Sequence, residues 1–131
     1  MFKTSSTKTS SAMSQQRLTD LSFLEDLGMG DDDLLIEMIE MFLQNTPESL
    51  KQIQDYTEQK NWKKVAAEAH KLKPNLSYMG LERARDIIVD IEKTAKNDPD
   101  KNRIEHNITK VETICRQAYQ ELRQELNTLK T

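Results

Sequence analysis

The apolar residues of this chain recur at steps of three and four from Leu18 almost to the C-terminus, which is the spacing of one face of an α-helix. The clearest stripe consists of Val65, Ala69, Leu72, Leu76 and Met79. No segment alternates apolar and polar residues persistently enough to predict a β-strand. We therefore expect an all-α protein.

The pattern predicts six helical segments separated by short turns. They cover about residues 21–27, 32–45, 47–59, 62–79, 82–96 and 102–129. The break at position 46 rests on Thr46-Pro47-Glu48, which has the residue types of an N-cap, a first helical position and an acidic first turn. Since antiparallel helices joined by short loops form bundles, we expect an antiparallel four-helix bundle with one or two additional short N-terminal helices.

The 131-residue length fits one domain. Residues 1–17 are rich in serine and threonine and too poor in apolar side chains to offset their chain entropy by burial. We expect residues 1–17 to be a disordered tail and residues 18–131 to form the helical domain.

Composition excludes several classes of function. The Gly-rich phosphate loops GxxxxGK[ST] and GxGxxG are absent, and no run of 18 apolar residues could span a membrane. The single cysteine, Cys115, excludes an intramolecular disulfide and a Cys-based zinc site and fits a reducing, cytoplasmic location. A formal net charge of −3 argues against nucleic acid as the main partner.

His70 is the side chain with the clearest chemical potential. It follows the core residue Ala69 and so lies at the edge of the buried stripe. Its neighbours one turn away are Ala66, Ala67, Lys73, Pro74 and Ser77. The two alanines leave the ring uncovered, so a partner surface can approach it closely.

The charge around His70 favours an anion. Residues 60–73 hold five lysines and one acid, a local sum of +4. An exposed imidazole has a pKa of about 6.5, so much of it is neutral at pH 7 and can act as a nucleophile toward a phosphoryl group. A plain surface histidine beside a solvated lysine face is the alternative that these residues leave open.

Residues 69–81, AHKLKPNLSYMGL, resemble the signature of histidine-containing phosphotransfer (HPt) domains. In that signature the histidine is followed by a hydrophobic residue at +2, lysine at +3 and glycine at +10, which Leu72, Lys73 and Gly80 match. The order of the helices from about residue 21 to residue 126 is also similar. Pro74 departs from the family, which often has glycine there.

The resemblance implies a phosphorelay intermediate. His70 would accept a phosphoryl group, on Nε2, from the aspartate of a receiver domain and pass it to another receiver. Lys73 would contact the phosphoryl group and Gly80 would end the histidine helix tightly. The expected partner-binding residues are Ala66, Ala67, Lys71, Pro74 and Ser77.

The implied partners are response-regulator receiver domains, and a hybrid sensor histidine kinase is a further candidate. The receiver would bring its own aspartate and Mg²⁺, so we expect no cofactor or metal on this chain. Without an ATP-binding segment, we expect a monomeric phosphotransfer intermediate with no autokinase activity. A helical adaptor that binds a partner protein and does no chemistry remains the alternative.

Five other side chains receive no chemical role. His106 lies two residues from both Ile104 and Ile108, so it should face away from the core. Cys115 falls on the buried seam of the last helix. Met38, Met41 and Phe42 are assigned to the core, with an apolar docking face as the alternative.

Pro74 supports a first prediction. It has no N–H to donate to the carbonyl of His70, so the helix should kink or open one turn above the histidine and thereby set the tilt of the ring. The substitution Pro74→Ala should change the rate of phosphotransfer with a phosphorylated receiver domain, while circular dichroism shows unchanged helix content. An unchanged rate would contradict this role.

Overall fold

The computed structural model describes residues 17–131, and this part of the chain contains helices and no strand. The helices are α1 (Ser22–Gly28), α2 (Asp32–Glu58), α3 (Trp62–Tyr78), α4 (Glu82–Asn97) and α5 (Lys101–Lys130). Helices α2 and α4 each pack against both α3 and α5. Short turns join these four helices, so they form an antiparallel bundle with α1 as one additional N-terminal helix. The predicted fold class is confirmed. Of the tail predicted to be disordered, residues 1–17, residues 1–16 lie outside the described residues.

Side-chain caps begin three of the four long helices. The carboxylate of Asp31 accepts hydrogen bonds from the backbone N–H groups at the start of α2. Asn61 caps α3 through the N–H of Lys64, and Asp100 caps α5 through the N–H of Arg103. Each cap satisfies a donor that the first turn of a helix leaves unpaired.

The predicted helix break at Thr46-Pro47-Glu48 is wrong, because α2 continues through Pro47. Its buried stripe keeps its phase across the proline, with Phe42, Thr46, Leu50 and Ile53 at steps of three or four. Burying side chains such as Leu50 and Ile53 contributes about 1.5–3 kcal/mol each, which offsets the cost of about 3 kcal/mol for an internal proline. Thr46 is therefore a core residue instead of a cap, and its hydroxyl has no hydrogen-bond partner among residues 17–131.

The apolar stripes of α3 and α5 form the centre of the core. All five residues of the α3 stripe, from Val65 to Met79, are at most 2% exposed. On α5, Cys115 is fully buried, and burial raises the pKa of its thiol to about 11. With Ala69 fixed in the core, the next side chain along α3 must project from the flank of the bundle.

A short N-terminal segment ties α1 to the bundle. The carboxylate of Glu121 on α5 accepts hydrogen bonds from the backbone N–H groups of Leu18 and Thr19 and from the Thr19 hydroxyl, at 2.8–3.1 Å. The N–H of Asp20 donates to the carbonyl of Met79 at 2.9 Å. This segment therefore lies against the end of α3, next to Gly80.

Gly80 ends α3 in a conformation that other residues rarely adopt. Its φ is +73°, and a Cβ added there would lie 2.6 Å from Asp20 Cβ and 2.7 Å from the Asp20 backbone nitrogen and oxygen. Both the left-handed backbone and the close approach of Asp20 require glycine at this position.

Gly80→Ala should destabilise the protein more than Gly30→Ala. Gly30 also has a positive φ, +85°, but an added Cβ there meets open space. We expect Gly30→Ala to lower the free energy of unfolding by about 1 kcal/mol, and Gly80→Ala by about 3 kcal/mol, because the Asp20 backbone must also move. Urea unfolding measures both values. Equal losses would show that the contact with Asp20 is not tight.

Candidate functional site

The buried stripe of α3 places His70 on the surface of the bundle. Its side chain is 68% exposed. The ring borders two open grooves, which share Lys71. Of the predicted partner-binding residues, Ala66 and Ala67 line the first groove, whereas Pro74 and Ser77 line the second. The structure therefore brings all five of these residues together around one histidine.

The buried carboxylate of Glu92, on α4, lies beneath the ring. The Nδ1 atom of His70 is 3.0 Å from Oε2 of Glu92. Two ammonium groups contact the same carboxylate: Lys73 Nζ is 2.8 Å from Oε1 and Lys96 Nζ is 3.1 Å from Oε2. The Glu92 side chain is only 7% exposed. The site therefore has a buried anion at its base, and three nitrogen donors surround this anion.

The neighbours of Glu92 keep it ionised. Burial raises the pKa of this carboxyl group, but hydrogen bonds from Lys73, Lys96 and His70 outweigh burial and lower the pKa to about 2. A carboxylate that is deprotonated at neutral pH has no proton to donate and acts only as an acceptor. Nδ1 of His70 must therefore carry the proton of this hydrogen bond.

This hydrogen bond selects one tautomer of His70. In a neutral imidazole with its proton on Nδ1, the Nε2 atom has a free lone pair. Within residues 17–131 no group forms a hydrogen bond to Nε2. The site thus presents a nucleophilic nitrogen to solvent, with two ammonium groups and a carboxylate behind it.

Lys73 lies in the site, where its ammonium group contacts the carboxylate of Glu92. Its side chain is 23% exposed, which is the least of the lysines around the ring. Lys71 points outward with 71% exposure and lies 3.4 Å from an oxygen of Glu68. Lys73 therefore supplies fixed charge at the base of the site, whereas Lys71 remains accessible at its rim.

Sequence reasoning missed Glu92 and Lys96. The available signal was an acidic residue within the apolar stripe of α4, four positions after Ile88 and three before Ala95, both of which are buried. The pairing with His70 depends on the packing of α4 against α3, so no spacing within one helix could show it.

Pro74 does not open α3, which is continuous from Trp62 to Tyr78. The missing N–H leaves the carbonyl of His70 without its usual partner in the helix, and the buried side chains of Leu72 and Leu76 on either side keep the backbone helical. The expected opening of the helix is therefore wrong, whereas the alternative of a kink and the effect of Pro74 on the tilt of the His70 ring remain predictions.

The apolar residues of α2 divide between core and surface. Phe42 is 5% exposed and belongs to the core, as predicted. Met41 is 52% exposed, so its assignment to the core is wrong. Both line a small apolar pocket between α2 and α3, together with Asn75 and Tyr78. The ring of Tyr78 stacks on Phe23 with 5.8 Å between ring centroids.

The remaining candidates stay outside the site. His106 is exposed on α5 and Cys115 is buried in the core. In the described part of the chain no three His, Cys, Asp or Glu side chains are grouped so that they could hold a metal ion. None of the helices between residues 17 and 131 combines the length and apolarity needed to cross a bilayer.

The fold and the site define a four-helix bundle that presents one polarised histidine on its flank. A model of the Hpt domain family matches residues 37–131, and the chain belongs to this family. Hpt domains are histidine phosphotransfer intermediates in the phosphorelays of two-component signalling, and they interact with receiver domains. Neither the curated proteins nor the solved structures gave a match.

The low pKa of Glu92 predicts a specific loss of stability in acid. Its pKa is about 2 in the folded protein, against an ordinary value of 4.5. A carboxyl group whose pKa is lower in the folded state stabilises the protein above pH 4.5, and this contribution disappears as the pH falls toward 2. We expect up to about 3 kcal/mol of acid-sensitive stability from this group.

Urea unfolding at several values between about pH 6 and pH 2 measures this contribution. The free energy of unfolding of the wild type should fall more steeply than that of Glu92→Gln, which cannot titrate at this position. The comparison isolates Glu92 from Asp90 and Glu121, whose pKa values are also lowered. Parallel curves for the two proteins would contradict the ionised state of Glu92.

Proposed function

We propose that His70 is the phosphorylated residue of a phosphorelay intermediate, which takes a phosphoryl group from one receiver-domain aspartate and passes it to another. The observation that carries this proposal is the 3.0 Å hydrogen bond between Nδ1 and the buried carboxylate of Glu92. It holds the imidazole in the tautomer whose Nε2 lone pair points toward solvent, where a receiver domain can reach it.

The proposed reaction needs no proton transfer. The Nε2 lone pair attacks the phosphorus of an aspartyl phosphate, an N–P bond forms, and the P–O bond to the aspartate breaks with its electron pair on the carboxylate. The proton stays on Nδ1, so the ring becomes cationic. Glu92 stabilises this charge as the carboxylate of a catalytic triad stabilises an imidazolium. Attack by the aspartate of a second receiver reverses the sequence.

The two lysines near the ring, Lys73 and Lys71, have different roles in the proposed reaction. Lys73 keeps Glu92 ionised and contributes positive charge close to the incoming anion. The exposed ammonium group of Lys71 attracts the acidic pocket of a receiver over a longer distance. Phosphoryl transfer depends mainly on positioning and charge stabilisation, so this short set of residues suffices when the receiver supplies Mg²⁺.

The small residues beside the ring allow the receiver to approach. Ala66 and Ala67 form the floor of one groove, and Pro74 and Ser77 line the other. None of these side chains projects as far as the imidazole, so a receiver aspartate can reach Nε2 without displacing them. We extend the proposal to a monomer in the cytoplasm that has no cofactor, metal or autokinase activity of its own.

The alternative of an adaptor without chemistry leaves the site unexplained. A surface histidine needs no buried carboxylate, and a buried carboxylate with two lysines is costly to desolvate. An arrangement that orients one exposed ring is expected where that ring reacts. The geometry therefore favours phosphotransfer over the adaptor.

Substitution of the two histidines tests the proposal. We expect His70→Gln to abolish labelling by ³²P-phosphorylated receiver domains, because Gln has no nucleophilic ring nitrogen. The wild type and His106→Gln, which is the matched control, should acquire an acid-labile, base-stable label. Circular dichroism checks that both variants remain helical. Labelling that persists in His70→Gln, or disappears in His106→Gln, would assign the phosphoryl group to another residue.

A further inference from the structure

The carboxylate of Glu92 binds more positive groups than one negative charge requires. Lys73 and Lys96 both contact it, in addition to the ring of His70. With a neutral ring, the formal charge of the four groups is +1. This excess of one positive charge indicates that one ammonium group is available to bind a further anion.

We propose that Lys96 is the residue that binds the phosphoryl group, by moving its ammonium group from Glu92 to the phosphoryl oxygens on Nε2 of His70. The inference rests on the proposed function of His70 and adds a residue that the sequence motif does not contain. Lys96 belongs to α4, 26 positions after the histidine.

Phosphorylation itself changes what Glu92 needs. When Nε2 forms its bond to phosphorus, the ring becomes cationic and its Nδ1–H···Oε2 hydrogen bond becomes a charge pair. Glu92 can then release one lysine without being left as an uncompensated buried charge. At the same time the phosphoryl group brings up to two negative charges to the other side of the ring. Both changes favour transfer of one ammonium group.

The contacts of Glu92 identify Lys96 as the group that moves. Lys73 is the only one of the three donors on Oε1, whereas Lys96 shares Oε2 with Nδ1 of His70. Release of Lys96 leaves one donor on each oxygen, but release of Lys73 would leave Oε1 bare. Lys96 is also 60% exposed, against 23% for Lys73, so its movement disturbs less packing.

The groove between α3 and α4 gives Lys96 a path to the phosphoryl group. His70 and Lys96 line the same groove, whose floor includes the small side chains of Ala66, Ala67 and Ala95. The lysines of α3 that share this groove are Lys63 and Lys71, and Lys71 lies next to Glu68. Trp62 also lines this groove, but it lies eight positions, or about two helical turns, before His70 on α3, so Ala66 and Ala67 are the groove residues of α3 one turn from the ring.

The titration of the phosphoryl group tests the proposal without a receiver domain. In a His106→Gln background His70 is the only histidine, and potassium phosphoramidate can phosphorylate it chemically. ³¹P NMR then follows the phosphoryl resonance against pH. A cation in contact with the phosphoryl group lowers its pKa, so Lys96→Met should move the midpoint to higher pH by about half a pH unit.

Two further variants and one further measurement make the test specific. Lys93→Met removes the same charge from an exposed position of α4 outside the His70 grooves and should leave the midpoint nearly unchanged. Lys96→Arg should preserve the wild-type midpoint. Before phosphorylation, the ¹⁵N signals of His70 in Lys96→Met should still show the proton on Nδ1, because Lys73 continues to hold Glu92. The last measurement separates a contact with the phosphoryl group from support of Glu92.

The outcomes distinguish this inference from the proposed function. Equal midpoints in Lys96→Met and Lys93→Met, or a larger change in Lys73→Met than in Lys96→Met, would overturn the role of Lys96 and leave His70 as the phosphorylated residue. A His70 that accepts no phosphoryl group from phosphoramidate or from receivers would remove the proposed function, and this inference with it.

Discussion

The buried carboxylate of Glu92 is the group on which the site depends. It connects α3 to α4 through His70 and Lys73, and it holds Lys96 from its own helix. A carboxylate at this depth is stable in its charged form only because donors surround both of its oxygens. The charge that stabilises the interface between the helices therefore also orients the imidazole of His70.

The rest of the fold supplies the rigid support that this arrangement requires. The apolar stripe of α3 is locked into the core by Ala69 and Leu72, which fixes the direction in which His70 projects. Gly80 and the N-terminal segment hold the end of α3 in place. An exposed side chain on a well-packed helix can therefore keep a defined position, which the proposed phosphotransfer at His70 requires.

The two internal prolines show how tertiary packing overrides a local signal. Thr46-Pro47-Glu48 has every residue type of a helix start, and Pro74 should kink or open the histidine helix, yet α2 and α3 run through both positions. In each case buried side chains lie on both sides of the proline at helical spacing, so a break would expose them. An internal proline does carry a free-energy cost in a helix. The helical spacing of the buried apolar residues on both sides of the proline nevertheless determines that the helix continues.

The sequence by itself determined the all-α class, the positions of the last three helices and the exposure of His70, because each follows from the 3.6-residue period of a single helix. It also indicated Lys73 and the glycine at position 80 from fixed spacings along the chain. Only the tertiary structure decided that Glu92 and Lys96 belong to the site, and that Lys73 binds the carboxylate. These contacts join residues of different helices, and the period of one helix carries no information about the rotation and register of the helix packed against it.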